Sequence, residues 1–234
     1  MVTKHETEPA EGKIILSQKQ ASRRNFLGYA GAALGLGGIM VAGTSCKKGS
    51  PGTYFEVDLG SGDAGILNYA YALEQLEAAF YTQVIATQYS GITANETALL
   101  TDIRDHEIAH REFFKSALGA GAIKGLEVNF SSINFGNRDS VLGTAKAFED
   151  LGVSAYNGAG RLIASPDYLL LAGKIVSVEA RHAALIRDLI SNGSFADSTV
   201  IDGNGLDTSR TPSEVLAIAR TYIKTTIDES HLPS

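Results

Sequence analysis

The stretch Leu100-Thr101-Asp102-Ile103-Arg104-Asp105-His106-Glu107-Ile108-Ala109-His110-Arg111-Glu112-Phe113-Phe114 decides the fold. Within it Leu100, Ile103, Glu107, His110 and Phe114 recur at steps of three and four residues, the spacing that places side chains on one face of an α-helix. A Glu-x-x-His pair therefore occupies the stripe that should face a core. A second stretch does the same with Ala172, Ile175, Glu179, His182, Ile186 and Leu189. With 14 glutamates and five histidines in the chain, roughly 0.3 accidental matches are expected, so two alone are only suggestive. Two further segments settle the matter. Ala70-Tyr71-Ala72-Leu73-Glu74-Gln75-Leu76 and Ala145-Lys146-Ala147-Phe148-Glu149-Asp150-Leu151 share a pattern, and Tyr81 and Tyr156 each follow their glutamate by seven residues. The chain is thus an internal repeat in which a glutamate helix precedes a Glu-x-x-His helix.

Helix punctuation surrounds these motifs. A first helix is expected from about Asp63 to Ala86. A second opens at the capping box Thr93-Ala94-Asn95-Glu96 and ends near Leu118-Gly119. A third runs from Asp139 to about Ala164, although Gly152, Gly158 and Gly160 each cost a helix roughly 1 kcal/mol relative to alanine. Ser165-Pro166 starts a fourth, which stops at Asn192-Gly193. In the remaining segment, 193–234, Thr211-Pro212-Ser213-Glu214 starts a short fifth helix expected to reach about Asp228. Short turns make helices one and two antiparallel, and likewise three and four. The connection over 119–137 is long enough to cross the bundle end to end. The prediction is an all-α four-helix bundle over residues 63–192.

Four ionised carboxylates inside an apolar bundle would each cost several kcal/mol without compensation, and two divalent cations cancel that charge. Mixed carboxylate and imidazole donors suit iron or manganese, although zinc or cobalt can occupy such a cage in vitro. The layout resembles the ferritin-like superfamily, with bacterioferritin, rubrerythrin and desiccation-related proteins as relatives, over about Gly65 to Asn192. The resemblance implies Glu107 and Glu179 as bridging carboxylates, His110 and His182 as terminal imidazoles, and Glu74 and Glu149 as terminal carboxylates. It also implies a pair of iron ions reactive toward oxygen or peroxide, in a ferroxidase-like protein or other oxidoreductase. Desiccation-related relatives imply an alternative, a non-catalytic metal-binding or stress-related envelope module.

Other readings of the same residues stand beside this one. Glu77, one turn after Glu74, is an alternative ligand, but Gly152 stands at the equivalent place in helix three, so symmetry favours Glu74. Tyr81 and Tyr156 are expected in the core, hydrogen-bonded to a ligand carboxylate or serving in redox. His106-Glu107-Ile108-Ala109-His110 also fits the zinc-peptidase pattern H-E-x-x-H. That pattern needs a third ligand, the nearest carboxylates Glu112 and Glu127 are poorly placed, and it leaves Glu74, Glu149, Glu179 and His182 unexplained. His106 is expected at the surface or behind a ligand. His5 and His231 are assigned no role.

The first 45 residues read differently from the rest. Ser22-Arg23-Arg24-Asn25-Phe26-Leu27 precedes a Gly/Ala-rich, mildly apolar stretch to Gly43 and resembles a twin-arginine export signal. Glycine dilutes that stretch below what a permanent membrane span of about 20 apolar residues needs. Cys46, the single cysteine, resembles a lipoprotein processing site, although Gly43 stands where an aliphatic residue is usual. The expectation is a periplasmic or envelope protein with Cys46 as its lipid anchor, or one cleaved by ordinary signal peptidase near Gly43 or Ser45, followed by a linker over 46–62. One cysteine excludes an intrachain disulfide. Without residues 1–45 the formal charge is −8, which disfavours nucleic acid as a partner and suits a protein that attracts cations.

Overall fold

A computed structural model describes residues 56–234; the twin-arginine segment, Cys46 and the linker up to Phe55 lie outside the described residues. Four long helices dominate: α1 (Gly62–Ala86), α2 (Ala94–Leu118), α3 (Arg138–Gly160) and α4 (Pro166–Ile190). Helix α1 packs on α2 and α3 on α4, and the contact between α1 and α3 joins the two hairpins. The all-α bundle expected from the periodicity is the fold that forms, with a short α5 (Pro212–Ala219) behind it.

The caps act as the sequence predicts. Thr93 Oγ1 accepts from the Glu96 amide while Glu96 accepts from the Thr93 amide, closing the box that opens α2. Glu96 also holds the Arg138 guanidinium at 2.8 Å, and Arg138 donates to the Leu189 carbonyl, which ties the starts of α2 and α3 to the end of α4. Ser165 and Pro166 open α4, and Thr211 with Glu214 repeats the box at α5.

Helix α1 is buried on almost every side, the behaviour of a helix covered by more than its bundle neighbours. Its outer face carries the crossover between α2 and α3. Asn68 accepts from the Ile123 amide and donates to the carbonyls of Leu59 and Gly121, and two turns later Gln75 accepts from the Leu126 amide. Those buried amides pair backbone groups that would otherwise be stranded against the helix.

Three boundaries differ from expectation. Helix α3 stops at Gly160, four residues early, because the Asp63 carboxylate accepts from the amides of Ala164 and Ser165 and holds the turn into α4. Helix α5 stops at Ala219, passes through a 3₁₀ turn (Arg220–Tyr222), and becomes extended in the β-branched run Ile223-Lys224-Thr225-Thr226-Ile227, a composition that favours strand over helix. There Thr226–Asp228 (β2) pairs in parallel with Glu56–Asp58 (β1), within the span expected to be linker. Helix α3 tolerates its glycines for a local reason. A Cβ at Gly158 would fall 1.6 Å from the Arg210 carbonyl oxygen, so the segment leading into α5 can lie on α3 only there. Among the described residues no helix is long and apolar enough to cross a membrane.

Candidate metal centre

All six residues singled out by the repeat meet in the middle of the bundle. Glu74 on α1, Glu107 on α2, Glu149 on α3 and Glu179 on α4 are each 0% exposed, and His182 is 4% exposed. Their donor atoms form two quartets: Glu74, Glu107, His110 and Glu179 in one, Glu107, Glu149, Glu179 and His182 in the other. Glu107 and Glu179 belong to both. His110 Nδ1 lies 2.9 Å from Glu179 Oε1 and 3.5 Å from both Glu74 Oε2 and Glu107 Oε2. His182 Nδ1 lies 2.8 Å from Glu107 Oε1 and 3.4 Å from Glu149 Oε2. These are ion-pair distances without hydrogen-bond alignment, as expected of donors aimed at common points rather than at each other.

Unpartnered atoms sharpen the picture. Of the buried side-chain nitrogens and oxygens lacking a hydrogen bond among the described residues, eight belong to these six side chains. Both oxygens of Glu107 and of Glu179 are unpaired, but only one oxygen of Glu74 and one of Glu149. The other oxygen of each terminal glutamate is held by a tyrosine from the opposite half: Tyr81 on α1 donates to Glu149, and Tyr156 on α3 donates to Glu74. The sequence suggested that these tyrosines bond a carboxylate. It could not show the exchange between halves, although seven residues along one helix, about 10 Å, is too far for either to reach its own glutamate.

The charges are compensated within the cage by protons. Burial pushes the Glu74 and Glu77 carboxyls well above the usual range, with the nearby Glu179 charge adding to it. Burial likewise raises Glu149 to about 8. Burial would raise Glu107 as well, but its close contacts with His110 and His182 outweigh that and hold it at about 2. Burial disfavours charge on the imidazoles, yet the surrounding carboxylates, Glu107 foremost, raise both His110 and His182 to about 12. Such a set of acids and bases exchanges its protons for metal cations.

Glu77 is inside too, at 4% exposure, but it joins neither quartet. A Cβ at Gly152 would lie 3.1 Å from Glu77 Oε1 and 3.6 Å from Glu179 Oε2, so the glycine opposite provides the room for a fifth carboxylate. His106 is exposed and joins neither quartet; its ring stacks on His182 with 5.2 Å between centroids, and its Nδ1 lies 2.9 Å from His182 Nε2. The two histidines of His106-Glu107-Ile108-Ala109-His110 therefore do not converge on one point, and the zinc-peptidase arrangement is not formed. His106 instead fixes which nitrogen of His182 faces inward, the role that hydrogen-bonded partners of metal-binding histidines fill. The sequence left His106 at the surface or behind a ligand; that it backs His182 could not be read from spacing along one helix, because the contact spans two.

An antiparallel four-helix bundle with an end-to-end crossover and a central carboxylate–histidine cage defines a ferritin-like protein with a site fit for metal. The chain belongs to the ferritin-like domain family, whose sequence profile matches residues 62–192. No curated protein matches it significantly.

Proposed function

We propose that the cage holds two metal ions, iron by preference and manganese as the alternative, and that the protein is an oxygen- or peroxide-reactive oxidoreductase of the ferroxidase type. The observation that carries this reading is the set of eight unpaired buried donor atoms on six side chains that meet at the centre of the bundle. Two carboxylates with both oxygens free suit bridging roles for Glu107 and Glu179. Two with one oxygen free suit terminal roles for Glu74 and Glu149, and His110 and His182 each offer Nδ1. Carboxylate and imidazole donors favour iron or manganese over thiolate-seeking metals. A pair of ferrous ions bound there would supply two electrons, enough to reduce dioxygen to hydrogen peroxide or peroxide to water.

The rest is done by the chain. Tyr81 and Tyr156 hold the outer oxygens of Glu149 and Glu74, so the inner oxygens stay aimed at the centre. His106 does the same for His182. Full burial of the four carboxylates keeps bulk water from the site. His110, His182 and Glu149 hold protons in the metal-free cage and would give them up to bound cations.

The test is iron content after anaerobic Fe(II) loading, beside a Glu107→Ala/Glu179→Ala double variant. About two irons per chain, absent from the variant, followed by a ferric absorption on admitting air or peroxide, is the expected result. Iron that binds and ignores both oxidants would replace the oxidoreductase by the metal-binding envelope module. The Ser22–Leu27 motif supports export of the folded protein by the twin-arginine route to the periplasm or cell envelope, with Cys46 as its lipid attachment. Fractionation of cells expressing the full chain and a Cys46→Ser variant tests both points.

A further inference from the structure

At one end of the bundle lies a cavity of about 30 Å³ between the start of α1, the ends of α2 and α3, and the start of α4. Its wall includes Ala70, Leu73, Phe114, Tyr156, Ala159 and Ala172. Ala70 precedes Glu74 by four residues and Phe114 follows His110 by four, so the cavity sits about one helical turn, roughly 5 Å, from the first quartet. Tyr156 is the partition: its ring lines the cavity and stacks on Phe114, while its hydroxyl is committed to Glu74. On the outer side, the chain beside the lining residues Tyr168 and Leu171 carries Leu169 and Leu170, 46% and 60% exposed.

The internal repeat supplies a control. The positions equivalent to Ala70, Leu73, Phe114, Tyr156 and Ala159 are Ala145, Phe148, Ile186, Tyr81 and Val84, all buried in the core. At that end Phe148 packs against Phe80 at 5.1 Å and Tyr222 at 4.8 Å, so rings fill the corresponding space. The open side of the cage is therefore the Glu74–His110 side.

Size and chemistry select the occupant. A buried water needs two to four polar partners, and an apolar cavity that takes benzene measures about 150 Å³. This one offers mostly aliphatic and aromatic carbon and room for a diatomic molecule. We propose that the cavity is a docking site for dioxygen, through which the gas reaches the Glu74–His110 side of the cage past Tyr156 while water is held back. The inference rests on the oxygen-reactive reading above.

Xenon, an apolar atom that reports such sites, is the first probe. Crystals of the protein pressurised with xenon should show a bound atom between Ala70, Phe114 and Ala159, lost in Ala159→Leu. Stopped-flow oxidation of the Fe(II)-loaded protein then compares oxidants. Ala159→Leu should slow oxidation by dioxygen about tenfold and leave oxidation by hydrogen peroxide, a polar molecule with no need of the cavity, unchanged. If that variant fails to take up iron, Ala172→Leu on the cavity's α4 wall carries the same expectation. Absence of xenon from the wild type, or equal dioxygen rates in an iron-replete variant, overturns the proposal and leaves the oxidoreductase reading intact. A wild-type protein whose iron reacts with neither oxidant overturns both.

Discussion

In the α1–α2 half Glu74 is followed one turn later by Glu77, whereas in the α3–α4 half Glu149 is followed by Gly152. The donor residues of the two halves superimpose in role: each contributes a terminal glutamate, a shared glutamate, a histidine and a tyrosine that crosses to the other half. Their surroundings do not. The first half gains a fifth carboxylate beside the cage and the second half the glycine that accommodates it, while a cavity opens at the Glu74–His110 end of the cage and an aromatic plug fills the Glu149–His182 end. Chemistry shared by both halves keeps the repeat legible, while packing around it is free to diverge.

The largest test of that comparison contrasts a shared carboxylate with an unshared one. Glu107→Gln should reduce bound iron from about two per chain to near zero, and Glu149→Gln to about one, measured by elemental analysis after loading. Equal losses would mean that the quartets are not built around common bridges.

Protonation separates loaded from metal-free protein. Because His110, His182 and Glu149 hold protons at neutral pH in the metal-free cage, metal uptake should release about two protons or more per chain. Affinity should then rise at least tenfold per pH unit, readable by competition with a chelator. For stability the sign is opposite. Glu149 has its folded pKa raised from 4.5 to about 8, so its contribution is greatest below about 4.5 and is lost as pH climbs toward 8. The histidines act in the same direction over a wider range, from 6.5 up to about 12. Metal-free protein should therefore show a falling urea midpoint between pH 5 and 8, and loaded protein should not.

The Glu77–Gly152 pair gives a smaller, more local effect. Gly152→Ala should destabilise the wild type by about 1 kcal/mol or more through crowding of Glu77, yet stabilise a Glu77→Ala protein by up to about 1 kcal/mol through helix propensity. Additive effects in the double-variant cycle would show that the glycine is not there for Glu77.

Smallest are the caps that start the two Glu-x-x-His helices. Thr93→Ala removes one arm of a box whose Glu96 is held at about 2 by backbone and Arg138 contacts that outweigh its burial, and should cost about 1 kcal/mol. Ser165→Ala should cost about 0.5 kcal/mol, since its bond to the Tyr168 amide is long at 3.4 Å and Asp63 already covers the neighbouring amides. Chemical denaturation of both variants reads the difference.

These halves also show what a sequence can reveal. Thr93–Glu96, Ser165–Pro166 and Thr211–Glu214 announce helix starts because capping is local, and Glu74, Glu107, Glu149 and Glu179 stand out because acids on an apolar stripe need a reason. The early stop of α3 depends on Asp63, about a hundred residues away, and no local pattern encodes it. The tyrosine exchange, the His106–His182 stack and the anchoring of the crossover by Asn68 and Gln75 are likewise contacts between helices or with a loop. Glu77 was visible as a candidate, but its place beside Gly152 follows only from the packing of α1 against α3.

The β1–β2 pair has a consequence for the order in which the molecule assembles. Glu56 and Thr226 are 170 positions apart, and three-residue strands contribute too little to close so long a loop unaided. The bundle must first bring them together. The clasp should therefore be the last element to form and the first to open, with its amides exchanging with solvent well before those of α1.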